Sequence, residues 1–263
     1  TIKELYSLIL FSGSTGTDEN SADPYLDSDV FEFRFGTEFG ERYIDAQYAT
    51  STIYTATTMG GNETMFGVNF ADGRIKGYPT SKEFEIKLVR GRSDYGTNNF
   101  NDNGDGTVSD AATGLMWDQN GSEGGMNWEE AFDYVMSKNS ENYLGFSDWR
   151  LPDAKELHSI VDYSKSPEYS GSAAIASVFN IPEITNEGGE SDYPWYISST
   201  THDDGLSPDE AVYVCFGRAL GYWQDIWQDV HGAGAQRSDL KIGNPEDYPN
   251  GFGPQGDAIR IYN

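Results

Sequence analysis

Cysteine is all but missing. Cys215 stands alone among 263 residues, which excludes a disulfide framework and any Cys-based zinc site. It lies in the apolar stretch Ala211–Phe216, where a small buried hydrophobe is the expected role. Histidine is scarce too. With only His158, His202 and His231 present, a three-His metal site would need all of them to converge. Basic residues are few: 17 Lys and Arg face 43 Asp and Glu, a net charge of −26. Such a surface repels nucleic-acid phosphates and anionic lipid, so no nucleic-acid partner is expected. No apolar run approaches the roughly 18 residues of a membrane span, so no membrane insertion is expected either. No Ser sits in a Gly-x-Ser-x-Gly elbow, and spacing locates no paired nucleophile and base. The chain does not read as an enzyme.

Aromatic residues, in contrast, reach 14%, and Gly numbers 30. Disordered chains are poor in aromatics, so this one folds, with a polar, loop-rich surface. The acidity self-repels unless cations screen or bind it. Bound Ca²⁺ is one remedy, because hard oxygen ligands are what the surface offers; plain solubility in a salty or extracellular medium is the other.

Internal similarity gives the organisation. Thr1–Ile9 reads against Asp153–Val161, Tyr54–Thr58 against Ile197–Thr201, Phe70, Arg74 and Gly77-Tyr78 against Phe216, Arg218 and Gly221-Tyr222, and Ile86–Val89 against Ile259–Tyr262. The order is the same in both copies. The second copy has a front half that the first lacks. There Asn103-Gly104-Asp105-Gly106 is a turn between short strands, and a helix is expected over Asn127–Ser137. Asn127 caps it, Glu130 completes a capping box, and Trp128, Ala131, Phe132, Val135 and Met136 make its apolar face. Trp149-Arg150-Leu151-Pro152 leads to a second helix over Asp153–Tyr163, boxed by Asp153 and Glu156. Thr1 and Glu4 repeat that box, so Thr1–Phe11 is expected to be the second helix of an incomplete copy. A native chain is expected to carry a Trp-Arg-Leu-Pro-like strand just before Thr1. Strand-rich segments follow in each copy: Ser51–Thr57, Thr64–Phe70 and Glu83–Val89, then Pro194–Ser199, Ala211–Arg218 and Asp257–Tyr262. This is α+β organisation, with a partial first repeat over 1–98 and a complete second repeat over 99–263.

The blocks Asn103-Gly104-Asp105-Gly106-Thr107-Val108, Thr113-Gly114-Leu115-Met116-Trp117 and Asp148-Trp149-Arg150-Leu151-Pro152, with Lys155-Glu156-Leu157, resemble the Lcl C-terminal domain family. The resemblance implies a C-type-lectin-like fold, two helices on a small, mostly antiparallel sheet with long loops. It also implies a secreted or cell-surface bacterial protein, often an adhesin, and it supplies no catalytic residues. The Arg150-Leu151-Pro152 turn also resembles formylglycine-generating enzymes, but their cysteine pair has no counterpart here.

The two copies differ most after their Gly-Tyr pairs. The first has a short link over Pro79–Lys82; the second has an excursion over Trp223–Gly256. Long loops inside a compact domain are commonly functional. This one carries Trp223, Trp227, Asp229, His231, Arg237, Asp239, Asp247 and Tyr248. Indole faces, carboxylates and hydroxyls suit a glycan or peptide ligand; stapling of the loop to the core by Trp223 and Trp227 is the competing reading. The run Asn101, Asn103, Asp105 and Asp110 partly matches an EF-type Ca²⁺ loop, yet Ala112 stands where a bidentate acid belongs, and Asn-Gly-Asp-Gly is also an ordinary tight turn. The expected function is surface recognition or adhesion through these loops. The alternative is an assembly protein whose partner is another protein chain.

Overall fold

A computed structural model describes residues 1–205 and 208–243. It opens with α1 (Ile2–Tyr6), capped as expected: Thr1 accepts from the Glu4 amide and Glu4 reaches back to Thr1. β1 (Gln47–Thr58), β2 (Asn62–Asn69) and β3 (Arg74–Pro79) form an antiparallel meander. A separate three-stranded sheet follows, β4 (Phe100–Asp102), β5 (Thr107–Asp110) and β6 (Leu115–Asp118). Then come α2 (Trp128–Ser140), α3 (Ala154–Ser159), α4 (Pro167–Ser170) and the short ribbon β7 (Ile184–Thr185) with β8 (Ser191–Asp192). β9 (Trp195–His202), β10 (Glu210–Cys215), the hairpin β11 (Leu220–Trp223) and β12 (Ile226–Asp229), and β13 (Gln236–Leu240) complete the described chain. This is a mixed, sheet-rich molecule with few and short helices.

The main sheet has the order β1-β2-β3-β13-β10-β9. It therefore joins the N-terminal and C-terminal segments through the β3–β13 pair, where Gln236 lies opposite Ile75. One hydrophobic cluster runs from Ile2 and Tyr6 through Phe66 and Phe70 to Leu157, Val161 and Phe216. Approach at the seam is close. A Cβ on Gly77 would meet the His231 carbonyl at 2.4 Å, so only glycine fits there.

The same bonds recur on both sides of this seam. Ile2 N–H donates to Thr52 Oγ1 at 3.0 Å, and Ala154 N–H to Thr200 Oγ1 at 3.0 Å. Lys3 Nζ donates to the Ser159 carbonyl at 2.8 Å, and Lys155 Nζ to that of Ser7 at 3.0 Å. Tyr25 N–H donates to Phe70 O and Ala174 N–H to Phe216 O, both at 2.8 Å. Tyr48 meets Phe70 edge-on at 5.2 Å, as Tyr196 meets Phe216 at 5.6 Å. Thr52 thus corresponds to Thr200 and Tyr48 to Tyr196. The sequence pairing of Tyr54–Thr58 with Ile197–Thr201 is displaced by five residues, because β1 is a long Thr-rich strand with register shifts after Ala49 and Ile53.

Other expectations are corrected by packing. α1 and α3 stop after two turns or fewer, because Leu10 N–H bonds the Tyr25 carbonyl and Val161 enters a bridge with Ile175. Gly77-Tyr78 lies in β3, whereas Gly221-Tyr222 lies in the β11–β12 hairpin, and β13 takes the position beside β10 that β3 takes beside β2. Residues 83–89 make one parallel bridge, Glu85 to Tyr48, rather than a strand. Asp257–Tyr262 lies outside the described residues.

Candidate functional site

The residues of the Trp223–Gly256 excursion fall into two environments. Trp223 and Trp227 flank the tight turn of the β11–β12 hairpin, where Gln224 and Asp225 both have positive φ, the conformation two-residue hairpin loops require. Both indoles are half-buried, and Trp227 meets Tyr222 at 5.4 Å. Asp229 turns toward the N-terminal segment: it accepts from Tyr54 Oη at 2.9 Å and from Gly232 N–H at 2.7 Å. Burial raises its carboxyl to about 7 against those two bonds. His231 is buried, with Nδ1 3.3 Å from the Gly77 carbonyl. Burial holds it well below its ordinary pKa, and the nearby Arg237 and Lys76 act the same way. Arg237 and Asp239 are buried on β13. Among the described residues the candidates thus divide between the hairpin and the seam with the N-terminal segment, and Asp247 and Tyr248 lie outside the described residues.

Charged groups fill the seam around these residues. Lys76 Nζ donates to Asp72, and Arg74 donates to Glu210 at 3.3 Å and to Ser238 Oγ at 2.9 Å. Ser238, His202 and Glu210 come together: Ser238 Oγ is 2.8 Å from His202 Nδ1 and donates to Glu210. His202 and Ser238 are buried, and His202 Nε2 is held 2.9 Å from the Asp72 carbonyl. The group knots the two segments together. Cys215 is also buried, and burial pushes its thiol up.

The Asn101–Asp110 run is a self-satisfied turn. Asn101 donates to Asn103 Oδ1, Asn103 Nδ2 donates to Thr107 Oγ1 and Ser109 Oγ, and Asp105 accepts from the Thr107 amide and hydroxyl. Asp110 accepts from Asn98, the Asn99 and Ala112 amides, and Thr113. Internal donors thus bond several of the oxygens in this run, among them both of Asp110 and one of Asp105. Among the described residues no group of three or more His, Cys, Asp or Glu is arranged to hold a metal ion.

A cleft of about 480 Å³ lies elsewhere, between β6, α2, the Trp149–Pro152 turn and the start of β9. Its origin is in α2. That helix meets the sheet early, where Trp128 Nε1 donates to the Ser198 carbonyl at 3.1 Å and Ala131 packs with Ile197 and Ala211. Ala131 is its one buried residue. Tyr134, Val135 and Lys138, further along, line the cleft instead of packing on β9. Aromatic rings dominate the wall: Trp117, Tyr134, Trp149, Trp195 and Tyr196. Bonds fix this frame. Trp149 Nε1 donates to the Tyr143 carbonyl at 3.0 Å, and the Asn139 side chain brackets the Trp149 backbone at 2.7 and 2.8 Å. Arg150 forms a two-pronged pair with Glu156, which also accepts from the Asp153 amide at the cap of α3.

Asp118 is one of the carboxylates of the lining, with Asp148 and Glu156. Burial pushes its pKa up, against hydrogen bonds from the Asn120 amide and Tyr143. Its charge adds to burial in raising Tyr134 and Tyr196, each to about 12. Lys138 Nζ lies 4.7 Å from the Tyr143 ring centre and 5.2 Å from that of Tyr134, capping one side. The lining contains neither His nor Cys, and its Ser122 hydroxyl donates to the Gly124 carbonyl at 3.0 Å. An apolar, aromatic volume with a few fixed polar groups is what small recognition sites offer. Sequence reading had quoted Trp117 and Trp149 only as motif residues. Nothing in their local pattern marks a cleft, because its walls come from several segments far apart in the chain.

Against known proteins, residues 106–231 match the model of the Lcl C-terminal domain. The matched stretch begins at Gly106, beside the Asn-Gly-Asp-Gly turn, and ends after the β11–β12 hairpin, so it contains every wall of the cleft. No curated protein and no solved structure matches the chain.

Proposed function

We propose that this chain, which carries an Lcl C-terminal domain, is a secreted or cell-surface, non-enzymatic recognition or adhesion module that takes a glycan or peptide in the cleft beneath α2. The observation that carries the reading is the cleft itself: about 480 Å³, walled largely by aromatic rings and holding Asp118 among them. Pockets of this size and character bury most of a small ligand, and aromatic faces accept either sugar CH groups or apolar side chains. We further propose that the chain is one partial and one complete copy of a single C-type-lectin-like unit. The paired bonds of Ile2 with Ala154, Lys3 with Lys155 and Tyr48 with Tyr196 support it.

The assembly reading also has an observation in its favour. The β11–β12 hairpin and β13 pack on the N-terminal segment, since Met59 N–H donates to the Asp229 carbonyl at 2.8 Å and β13 pairs with β3. On this view the excursion joins the two segments, and recognition is left to the cleft. The test is a panel of oligosaccharides and peptides titrated against the protein and read by tryptophan emission, since Trp117, Trp149 and Trp195 line the cleft. A ligand found this way keeps its affinity in Trp223→Ala and loses it in Tyr196→Ala. The reverse pattern would return recognition to the excursion.

A further inference from the structure

Away from the cleft, a row of three oxygens joins separate parts of the fold. Tyr54 of β1 is buried, with its hydroxyl 2.9 Å from Asp229 Oδ2 at the end of β12 and 3.3 Å from Glu168 Oε2 in α4. One hydroxyl carries one proton. With both carboxylates ionised, Tyr54 donates to one of them and turns a lone pair toward the other. The second oxygen of each carboxylate is engaged elsewhere: Asp229 Oδ1 accepts from Gly232 N–H at 2.7 Å, and Glu168 Oε1 accepts from Arg218 Nε. A proton added at Asp229 Oδ2 completes the row, since Asp229 then donates to Tyr54 and Tyr54 donates to Glu168. Asp229 takes that proton rather than Glu168, because the Arg218 guanidinium holds Glu168 as a carboxylate.

We propose that Asp229, Tyr54 and Glu168 form a proton-operated clasp, closed when the row holds two protons and loosened at its α4 end when it holds one. The clasp joins three elements. Asp229 belongs to the strand that meets the N-terminal segment, where Met59 N–H donates to the Asp229 carbonyl at 2.8 Å. α4 is a single short turn, fastened to β1 by Thr55 Oγ1, which donates to Ser166 Oγ at 2.9 Å, and by the contact of Tyr54 with Glu168. The Glu168 side chain is 35% exposed, so this is the end that turns to water when the row lacks a proton. Neighbouring charges set where that happens. Asp192 of β8 acts on Asp229 and pairs with Arg218 at 3.3 Å, and the Asp229 charge reaches Cys215 of β10. Burial raises the Asp229 carboxyl to about 7; Glu168 and Asp192 act in the same direction, and the bonds from Gly232 and Tyr54 oppose them. That value lies above the ordinary 3.8, so the clasp is closed in mild acid and loosens as pH rises through 7.

Hydrogen exchange in the full chain tests the clasp, read at the α4 amides and corrected for the intrinsic pH dependence of exchange. The N–H groups of Ser170 and Gly171 donate to the carbonyls of Ser166 and Pro167. In the parent they are expected to lose protection by up to about tenfold per pH unit above 7, the dependence set by one linked proton. Asp229→Asn and Glu168→Gln are each expected to abolish that step and to keep α4 protected. Either side-chain amide supplies the missing donor to Tyr54 Oη, while its oxygen keeps the bond from Gly232 or from Arg218. Tyr54→Phe keeps the ring that meets Phe66 edge-on, and it is expected to leave α4 weakly protected at every pH. A step that survives in Glu168→Gln with its midpoint unchanged would overturn the inference, because Asp229 would then titrate without the row. Protection independent of pH in the parent would overturn it, and so would a Tyr54→Phe variant that keeps the parent's step.

Discussion

Asp229 is a residue whose ionisation is tied to stability. Its folded pKa, about 7, lies above its ordinary value of 3.8, so between those values the folded state holds a proton that the unfolded state has lost. The stabilising contribution is full below about pH 4 and is lost as pH rises through 7, at up to about 1.4 kcal/mol per pH unit. Melting temperature is therefore expected to fall from pH 5 to pH 8, and Asp229→Asn is expected to flatten that fall. An unchanged slope in the variant would place the titration elsewhere. Arg150 illustrates the opposite case. Arg150 is exposed and pairs with Glu156, beside a half-buried Trp149. A pair of this exposure contributes about 1 kcal/mol or less, so Arg150→Lys is expected to move the chemical-denaturation midpoint only slightly. A loss of several kcal/mol would mean that the guanidinium has further partners. Individual residues were legible where their partners are near in sequence, as at the caps. His231 was read as a loop residue because its polar contact, the Gly77 carbonyl, lies far away in the chain, and Arg237 and Asp239 were read so because the pairing that makes β13 comes from distant strands.

Helices and turns carried the clearest sequence signals, because capping is local chemistry. The three boxes, Thr1 with Glu4, Asn127 with Glu130 and Asp153 with Glu156, are all present. Helix ends were less legible, since tertiary bonds at Leu10 and Val161 end α1 and α3. The apolar stripe of α2 was visible, but what it faces was not: Ala131 and Val135 of that stripe line a cleft. α1 and α3 are tied by two lysines of unequal setting. Lys3 Nζ donates to the carbonyls of Ser159 and Gly96 and to Asn98, and burial lowers its pKa to about 8. Lys155 donates to Ser7 O, and burial lowers it as well. Lys3→Met is expected to cost about 2–3 kcal/mol, because it strips donors from several partly buried acceptors, and Lys155→Met about 1 kcal/mol. Urea denaturation of the two variants checks this; equal losses would contradict the asymmetry.

At the scale of the whole molecule, one sheet spans both segments and closes over a charged seam. The ordered similarity of the two segments was readable in the chain. Their fusion through β3 and β13 was not, because β13 is polar and takes its place only through pairs with the other segment. The acidity of −26 concerns the surface instead. With most of the described Asn101–Asp110 oxygens bonded internally, melts in NaCl and in CaCl₂ of equal ionic strength are expected to coincide, as screening does not distinguish the two salts strongly; a rise confined to Ca²⁺ would reveal a cation site. The central claim is that recognition belongs to the cleft beneath α2. Gly124→Trp tests it most directly, beside Gly91→Trp as a control at another position where a Cβ meets nothing within 4 Å. Both variants and the parent are to be screened on one array of peptides and oligosaccharides, with melting temperatures recorded. Gly124→Trp is predicted to melt like the parent and lose the parent's ligands, while Gly91→Trp keeps them. Ligands retained by Gly124→Trp would contradict the account.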